Sequence, residues 1–284
     1  MRAVLCLALC LPLPLPALAA WPDDIDVAGM LEHDGSAVAP ETARGQLGII
    51  AAELAGAIAN QPLAPARTLG VAGFELSAGI TLAFIDKSAN GDGTPSGWQL
   101  ADIDEDPGAS TVLPTLTVRK GLPGSLEVGA RSSWLASTRQ GVVGVFARAA
   151  PVEGYEPWPD LSFQVGYSAY VGNPELKLST VDLSASLGGT FAFGSYPGIR
   201  QAQFSPYIGG GVVLPMGRTV LDDIDSEAFY AGDSSASPEK LQLSAQPKIH
   251  GGLQVTNSTV LFRMVGGWSP QSAPTFHAGM GFMF

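Results

Sequence analysis

The residues of this 284-residue chain with the means to bind or react are few, and most are isolated polar side chains set into apolar stretches. Glu75, Arg119, Glu127, Arg131, Arg148, Asp182, Gln242, Lys248, His250 and His277 each fall on the polar side of a segment whose alternate residues are apolar. A strand sends successive side chains to opposite faces, so this spacing gathers them onto one side of an extended wall. Acids and bases are both in the set. Enclosed together they can neutralise one another through ion pairs and hydrogen bonds. Facing water they would form a selectivity lining, and the alternation is compatible with either arrangement.

A second group lies in Asp86-Lys87-Ser88-Ala89-Asn90-Gly91-Asp92-Gly93. Asp86, Ser88, Asn90 and Asp92 place oxygens at every second position while Gly91 permits a sharp bend, which is how a calcium loop begins. The pattern then departs, because Gly97 stands where a bidentate glutamate would close the loop, although Asp102, Asp104, Glu105 and Asp106 lie downstream. A solvated acidic loop is the other reading. Calcium is the one cofactor for which the chain shows donors, and otherwise none is expected.

Signs of catalysis are sparse. The histidines are His33, His250 and His277, and there is no Gly-x-Ser-x-Gly elbow, metal-binding histidine pair or phosphate loop. His250 with Ser244 or Asp182 is a conceivable combination, but a histidine on the polar side of a strand also serves as a hydrogen-bonded filler. The expectation is a protein that is not an enzyme.

The elements that must position these groups are strands. Phe74, Leu76, Ala78, Ile80, Leu82 and Phe84 share one face, and Glu75, Ser77, Gly79 and Thr81 the other. Comparable segments run over Thr111 to Lys120, Ser125 to Leu135, Gly141 to Ala149, Asp160 to Val171, Ser179 to Phe193, Phe204 to Leu214, Lys240 to Gln254, Ser258 to Gly266 and Pro274 to Phe284. They predict an all-β chain, a transmembrane antiparallel β-barrel of about ten strands within a range of eight to twelve. Long connections, Ile85 to Ser110 and Pro215 to Glu239, fall on one side, and tight ones, Gly121 to Gly124 and Thr256-Asn257, on the other. Trp134, Trp158, Tyr167, Trp268, Phe282 and Phe284 stand near strand ends, where an aromatic girdle meets the membrane interface.

Ahead of the strands the chain changes character. Residues 1–20 carry Arg2, an apolar run broken by Pro12, Pro14 and Pro16, and Ala17-Leu18-Ala19, the layout of a secretory signal peptide. Both cysteines, Cys6 and Cys10, lie inside it, so the mature chain is expected to have no thiol chemistry. Residues 21–66 form an N-terminal segment with a helix over 41–60, whose Leu47, Ile50, Ala51, Leu54 and Ile58 recur at helical spacing. Its small residues suit close packing, either as a plug inside the barrel or beneath it in the periplasm. The barrel itself is expected over 67–284. Charged residues make up only 14% of the chain, against about 25% in soluble domains. The net charge of -11 argues against a nucleic-acid partner.

The final segment alternates Phe276, Ala278, Met280, Phe282 and Phe284 on one face with His277, Gly279, Gly281 and Met283 on the other, and stops on an aromatic. It resembles the last strand of bacterial outer-membrane β-barrel proteins. Ser205-Pro206-Tyr207-Ile208-Gly209-Gly210-Gly211 is similar to the Pro-Tyr-x-Gly-x-Gly strand start of such families. The resemblance implies location in a bacterial outer membrane and contact with its lipid. It also implies recognition of Phe276, Met280, Phe282 and Phe284 by the barrel-assembly machinery. A porin-like or transport role for small or hydrophobic solutes is the first expectation. The alternative is a structural or surface-interaction barrel with acidic, cation-binding outer loops, and a barrel hydrolase stands behind both.

Overall fold

Period-two patterning becomes ten long strands in a computed structural model that describes residues 24–86, 95–101, 110–136, 138–155, 158–193, 202–221, 223–231 and 240–284. They are β1 (Phe74–Ala83), β2 (Thr111–Leu122), β3 (Leu126–Trp134), β4 (Gly141–Val152), β5 (Asp160–Val171), β6 (Leu176–Gly188), β7 (Ala202–Thr219), β8 (Gln246–Asn257), β9 (Val260–Ser269) and β10 (Ser272–Met283). Each pairs antiparallel with the next along the chain, and β10 returns to β1 from Thr275 opposite Ala83 to Met283 opposite Glu75. The sheet is therefore a closed barrel without a free edge.

The outer face is apolar, with Leu76, Ile80, Phe163, Leu183, Phe262 and Met280 all between 40% and 54% exposed. Facing inward, the same strands bury polar residues at the alternate positions. Trp134, Trp158, Tyr167, Trp268, Phe282 and Phe284 all lie on the exposed face. No described helix is long and apolar enough to cross a membrane.

The two ends of the barrel differ. At the turn end, where β1 begins, β8 and β9 are joined through the two residues Ser258 and Thr259, and β2 and β3 through Pro123 to Ser125. From the loop end leave the long connections β1 to β2 and β7 to β8, which carry the short helices α2 (Gly97–Ala101) and α3 (Asp223–Phe229).

The expected helix is present as α1 (Pro40–Ile58), begun by Pro40 at its first position and Glu41 in its first turn. Its Leu47, Ile50, Leu54 and Ile58 are buried with Leu113, Val142, Tyr170, Leu176 and Leu178 of the barrel and Trp98 of α2. This apolar plug fills the loop end. The helix does not pack beneath the turn end of the barrel. The reason is that inward-facing Leu113, Val142 and Leu176 make the loop end of the lumen apolar, whereas the turn end is lined with charge.

Ahead of α1, a single 3-10 turn (Ala28–Leu31) and a two-residue hairpin, Glu32–His33 against Ser36–Ala37, also sit at the loop end. Asn173 donates to the Ile25 carbonyl, and Glu175 accepts from the Val27 and Ala28 amides. After α1 the chain runs from Ala59 down the lumen and reaches the turn end before entering β1.

Two strand boundaries depart from the expected ones. The segment expected over Ser179 to Phe193 is β6 plus a separate Phe191–Phe193 that pairs with the start of β7. In the segment expected over Lys240 to Gln254, Lys240–Leu241 pairs with Arg218 and Gly217 at the extended end of β7, and the wall resumes only at Gln246. Gln242 is consequently exposed and does not face the lumen, which corrects its placement among the inward groups. Its polar-apolar alternation continues through a stretch that has left the barrel wall.

Candidate functional site

The inward polar residues assemble in layers along the lumen. At the turn end, register puts Glu75 directly opposite Arg119 and Glu127 directly opposite Arg148. Arg119 bridges the two carboxylates, donating from Nη1 to Glu127 Oε1 at 2.9 Å and from Nη2 to Glu75 Oε2. Arg148 donates to Glu127 Oε2 at 3.1 Å, and Arg263 donates to Glu75 Oε1 at 2.6 Å. All five side chains are at most 3% exposed. Buried charges of this kind persist only when paired and hydrogen-bonded.

Arg263 was not among the expected inward residues. The strand that holds it is apolar on both faces, with Leu261 and Val265 inward and Phe262 and Met264 outward. The one signal available was its own charge, since an arginine in mid-strand is costly on a lipid face.

Above this layer the wall is spent on the chain that crosses the lumen. Arg131 donates to the carbonyls of Ile58 at 2.6 Å and Ala59 at 3.1 Å, placing a cation on the C-terminal end of α1. Asn60 donates from its side chain to the carbonyls of Val145 at 3.1 Å and Tyr167 at 2.9 Å, and from its backbone to Asp182 at 3.2 Å. Lys248 reaches the Asn60 carbonyl at 3.5 Å. Tyr207 donates to Pro62 at 2.9 Å, which gives the tyrosine of the Pro-Tyr motif a structural partner. Arg148 donates to the carbonyls of Pro65 at 2.6 Å and Arg67 at 3.0 Å. Prolines at 62 and 65 keep this segment extended, so its carbonyls stand out for the wall to grasp.

Two glycines shape the wall to Asn60. A Cβ on Gly166 would lie 2.8 Å from Asn60 Nδ2 and 2.6 Å from Asp182 Oδ2. On Gly144 it would lie 2.7 Å from Asn60 Oδ1, so the amide fits only because neither residue has a side chain.

His250 and His277 each lie against a hydroxyl of the lumen wall. His277 Nδ1 is 2.9 Å from Thr81 Oγ1, in a chain of hydroxyls through Thr115 to Ser133. His250 Nε2 is 2.8 Å from Ser186 Oγ, and its Nδ1 has no partner among the described residues. The combinations imagined from the sequence do not form: Ser244 is exposed and bonded to Gln271, and Asp182 bonds Asn60. Ser186 and His250 therefore make a two-membered pair without an acid to orient the imidazole.

Of the calcium-like loop, Ser88, Asn90 and Asp92 lie outside the described residues and Asp86 within them. No group of three or more metal-ligating side chains occurs among the described residues. Phe276, Met280, Phe282 and Phe284 line the outer face of β10 and the residue after it, with Phe282 54% and Phe284 72% exposed. The Phe284 backbone exchanges both hydrogen bonds with Phe74, which ties the two ends of the barrel chain together.

No family model matches the chain, and no curated protein matches it. Among solved structures it is similar to a KdgM porin, at 7% identity over 74% of this chain and 99% of that one, with a TM-score of 0.33. It is also similar to Ail of Yersinia pestis, solved with the heparin analogue sucrose octasulfate, at 10% identity over 75% and 99%, with a TM-score of 0.27. For OprB of Pseudomonas putida the identity is 11% over 61% and 59%, with a TM-score of 0.20. Likeness at this level carries no function across, and the architecture of this chain, a closed ten-stranded antiparallel barrel threaded by its own N-terminal segment, rests on its own ladder of paired strands.

Proposed function

We propose that this protein is an outer-membrane barrel closed by its own N-terminal segment, acting to hold and present that segment and the adjoining loops at the outer surface. The membrane part of this reading rests on the closed ladder, the apolar outer face and the aromatic residues near the strand ends. The observation that carries the rest is how the lumen is used. Arg131, Arg148 and Tyr207, which could line a pore, donate to backbone carbonyls between Ile58 and Arg67. A residue committed to the protein's own main chain is not available to a passing solute, and a ten-stranded barrel has little room beside a threaded chain.

Surface interaction is accordingly favoured over an open porin, and no catalytic role is assigned. The deciding experiment is single-channel recording of the full chain in a planar bilayer. The expected trace shows no sustained conductance. A stable ohmic channel through the intact protein would overturn the reading and restore the porin-like one.

A further inference from the structure

The turn end of the lumen contains a cavity of about 320 Å³ below the threaded segment. Arg67, Arg119, Thr190, Ser205, Gln254 and Thr256 contribute to its lining, which among the described residues includes two arginines and no aspartate or glutamate, with Glu153 and Glu127 bonded to the lining residues Thr68 and Leu69 from behind it. Arg119 is 2% exposed and belongs to the buried ion-pair layer. That layer does not balance: Arg119, Arg148 and Arg263 stand against Glu75 and Glu127, three cations to two carboxylates. Its donors are not all used either. Among the described residues the Nε groups of Arg119, Arg148 and Arg263, and Nη1 of Arg263, are buried without a hydrogen-bond partner.

Gln254 connects the layer to the cavity. It accepts from Arg263 at 3.0 Å and donates to Thr256 at 3.2 Å, so one face of the cavity is continuous with the excess charge. The other cavity arginine, Arg67, has Asp160 at 3.5 Å and is 44% exposed. A buried net positive charge with spare donors is unfavourable alone and becomes favourable beside an anion. Guanidinium groups with hydroxyl and amide neighbours are the chemistry that recognises phosphate and carboxylate oxygens.

We propose that this cavity binds the oxyanion of a small free solute, a phosphate or a short carboxylic acid, entering from the turn end. The cavity opens at the turn end past Phe74, Ser258 and Phe284, and its polar lining suits a water-soluble anion. It is separate from the presentation role of the loop end and does not depend on whether the barrel conducts.

The test uses the full chain folded in an uncharged detergent, titrated calorimetrically with sodium phosphate against sodium chloride of equal ionic strength. One saturable site is expected, with a Kd of about 1 mM or tighter. Arg67→Gln and Arg263→Gln should each weaken it by about tenfold or more, with heat-modifiable mobility on gels showing that the barrel still folds. Should Arg263→Gln fail to fold, Arg67→Gln and the isosteric Thr256→Val carry the comparison. Absence of a saturable site up to about 50 mM phosphate, or equal affinity in both of those variants, would overturn the proposal.

Discussion

At the scale of single residues, the fit between the lumen wall and Asn60 is the sharpest feature of the molecule. Gly166 leaves space for the Asn60 amide, and Asp182 beside it accepts the Asn60 backbone N–H. Gly166→Val should displace the amide and leave Asp182 crowded, at a cost of about 1–3 kcal/mol in denaturant unfolding. Amide exchange at Asn60 should rise with it. Unchanged exchange and midpoint would show that the segment does not depend on this notch.

Glu175 permits a prediction about pH, because it lies in the turn between β5 and β6, outside the ladder. Burial pushes its carboxyl above the ordinary 4.5, Asp26 and Asp225 add to the rise, and the Ala28 and Val27 amides pull against it. A group whose pKa is raised on folding contributes stability that is complete below its unfolded value and is lost as pH rises through the folded one. The net contribution of Glu175 to folding should therefore be largest below about pH 4.5 and fall above it, with the Val27 and Ala28 amides opposing the loss because they bond the carboxylate more strongly. Denaturant unfolding as a function of pH reads this directly. Glu175→Gln keeps an acceptor without the titration and should flatten the profile; a profile equally steep in the variant would assign the effect elsewhere.

At the scale of elements, the strands were legible wherever one face is apolar and the other polar, as in β1 and β5. Legibility failed where that contrast fails. In β9 both faces are apolar, so Arg263 escaped notice despite completing the ion-pair layer. Around Gln242 the alternation persists in a stretch that pairs beyond the barrel wall, so pattern outran structure. The helix was legible from its Leu47, Ile50, Leu54 and Ile58 spacing, but its place was not, since that depends on apolar partners from strands distant in sequence. Strand facing can be tested by depth. Leu183 lies mid-strand in β6 and Val171 at the end of β5, and both face outward. Leu183→Arg should cost about 2–4 kcal/mol in a lipid bilayer and Val171→Arg about 0–1. Equal costs measured by reversible unfolding in vesicles would contradict a lipid-facing wall.

At the scale of the whole molecule, the path of the chain has a consequence for topology. Residues from Asp24 through α1 occupy the loop end, the chain then descends the lumen, and β1 starts from the turn end. The N-terminal hairpin and α1 thus lie at the opposite end of one closed wall from the last residue of β10. If the long loops face outward, as proposed, the N-terminal hairpin lies on the outer side with them. Cysteine scanning can decide this because Cys6 and Cys10 both precede the described chain, in the stretch expected to be cleaved. Ser36, in the N-terminal hairpin, and Pro123, in the β2 to β3 turn, are both exposed. On intact cells a membrane-impermeant maleimide should label Ser36→Cys and not Pro123→Cys, with the second becoming reactive only when the outer membrane is permeabilised. Reversal of both would mean an inverted barrel. Protection of both until permeabilisation would mean that the N-terminal segment does not thread the lumen, and with it the presentation role would fall.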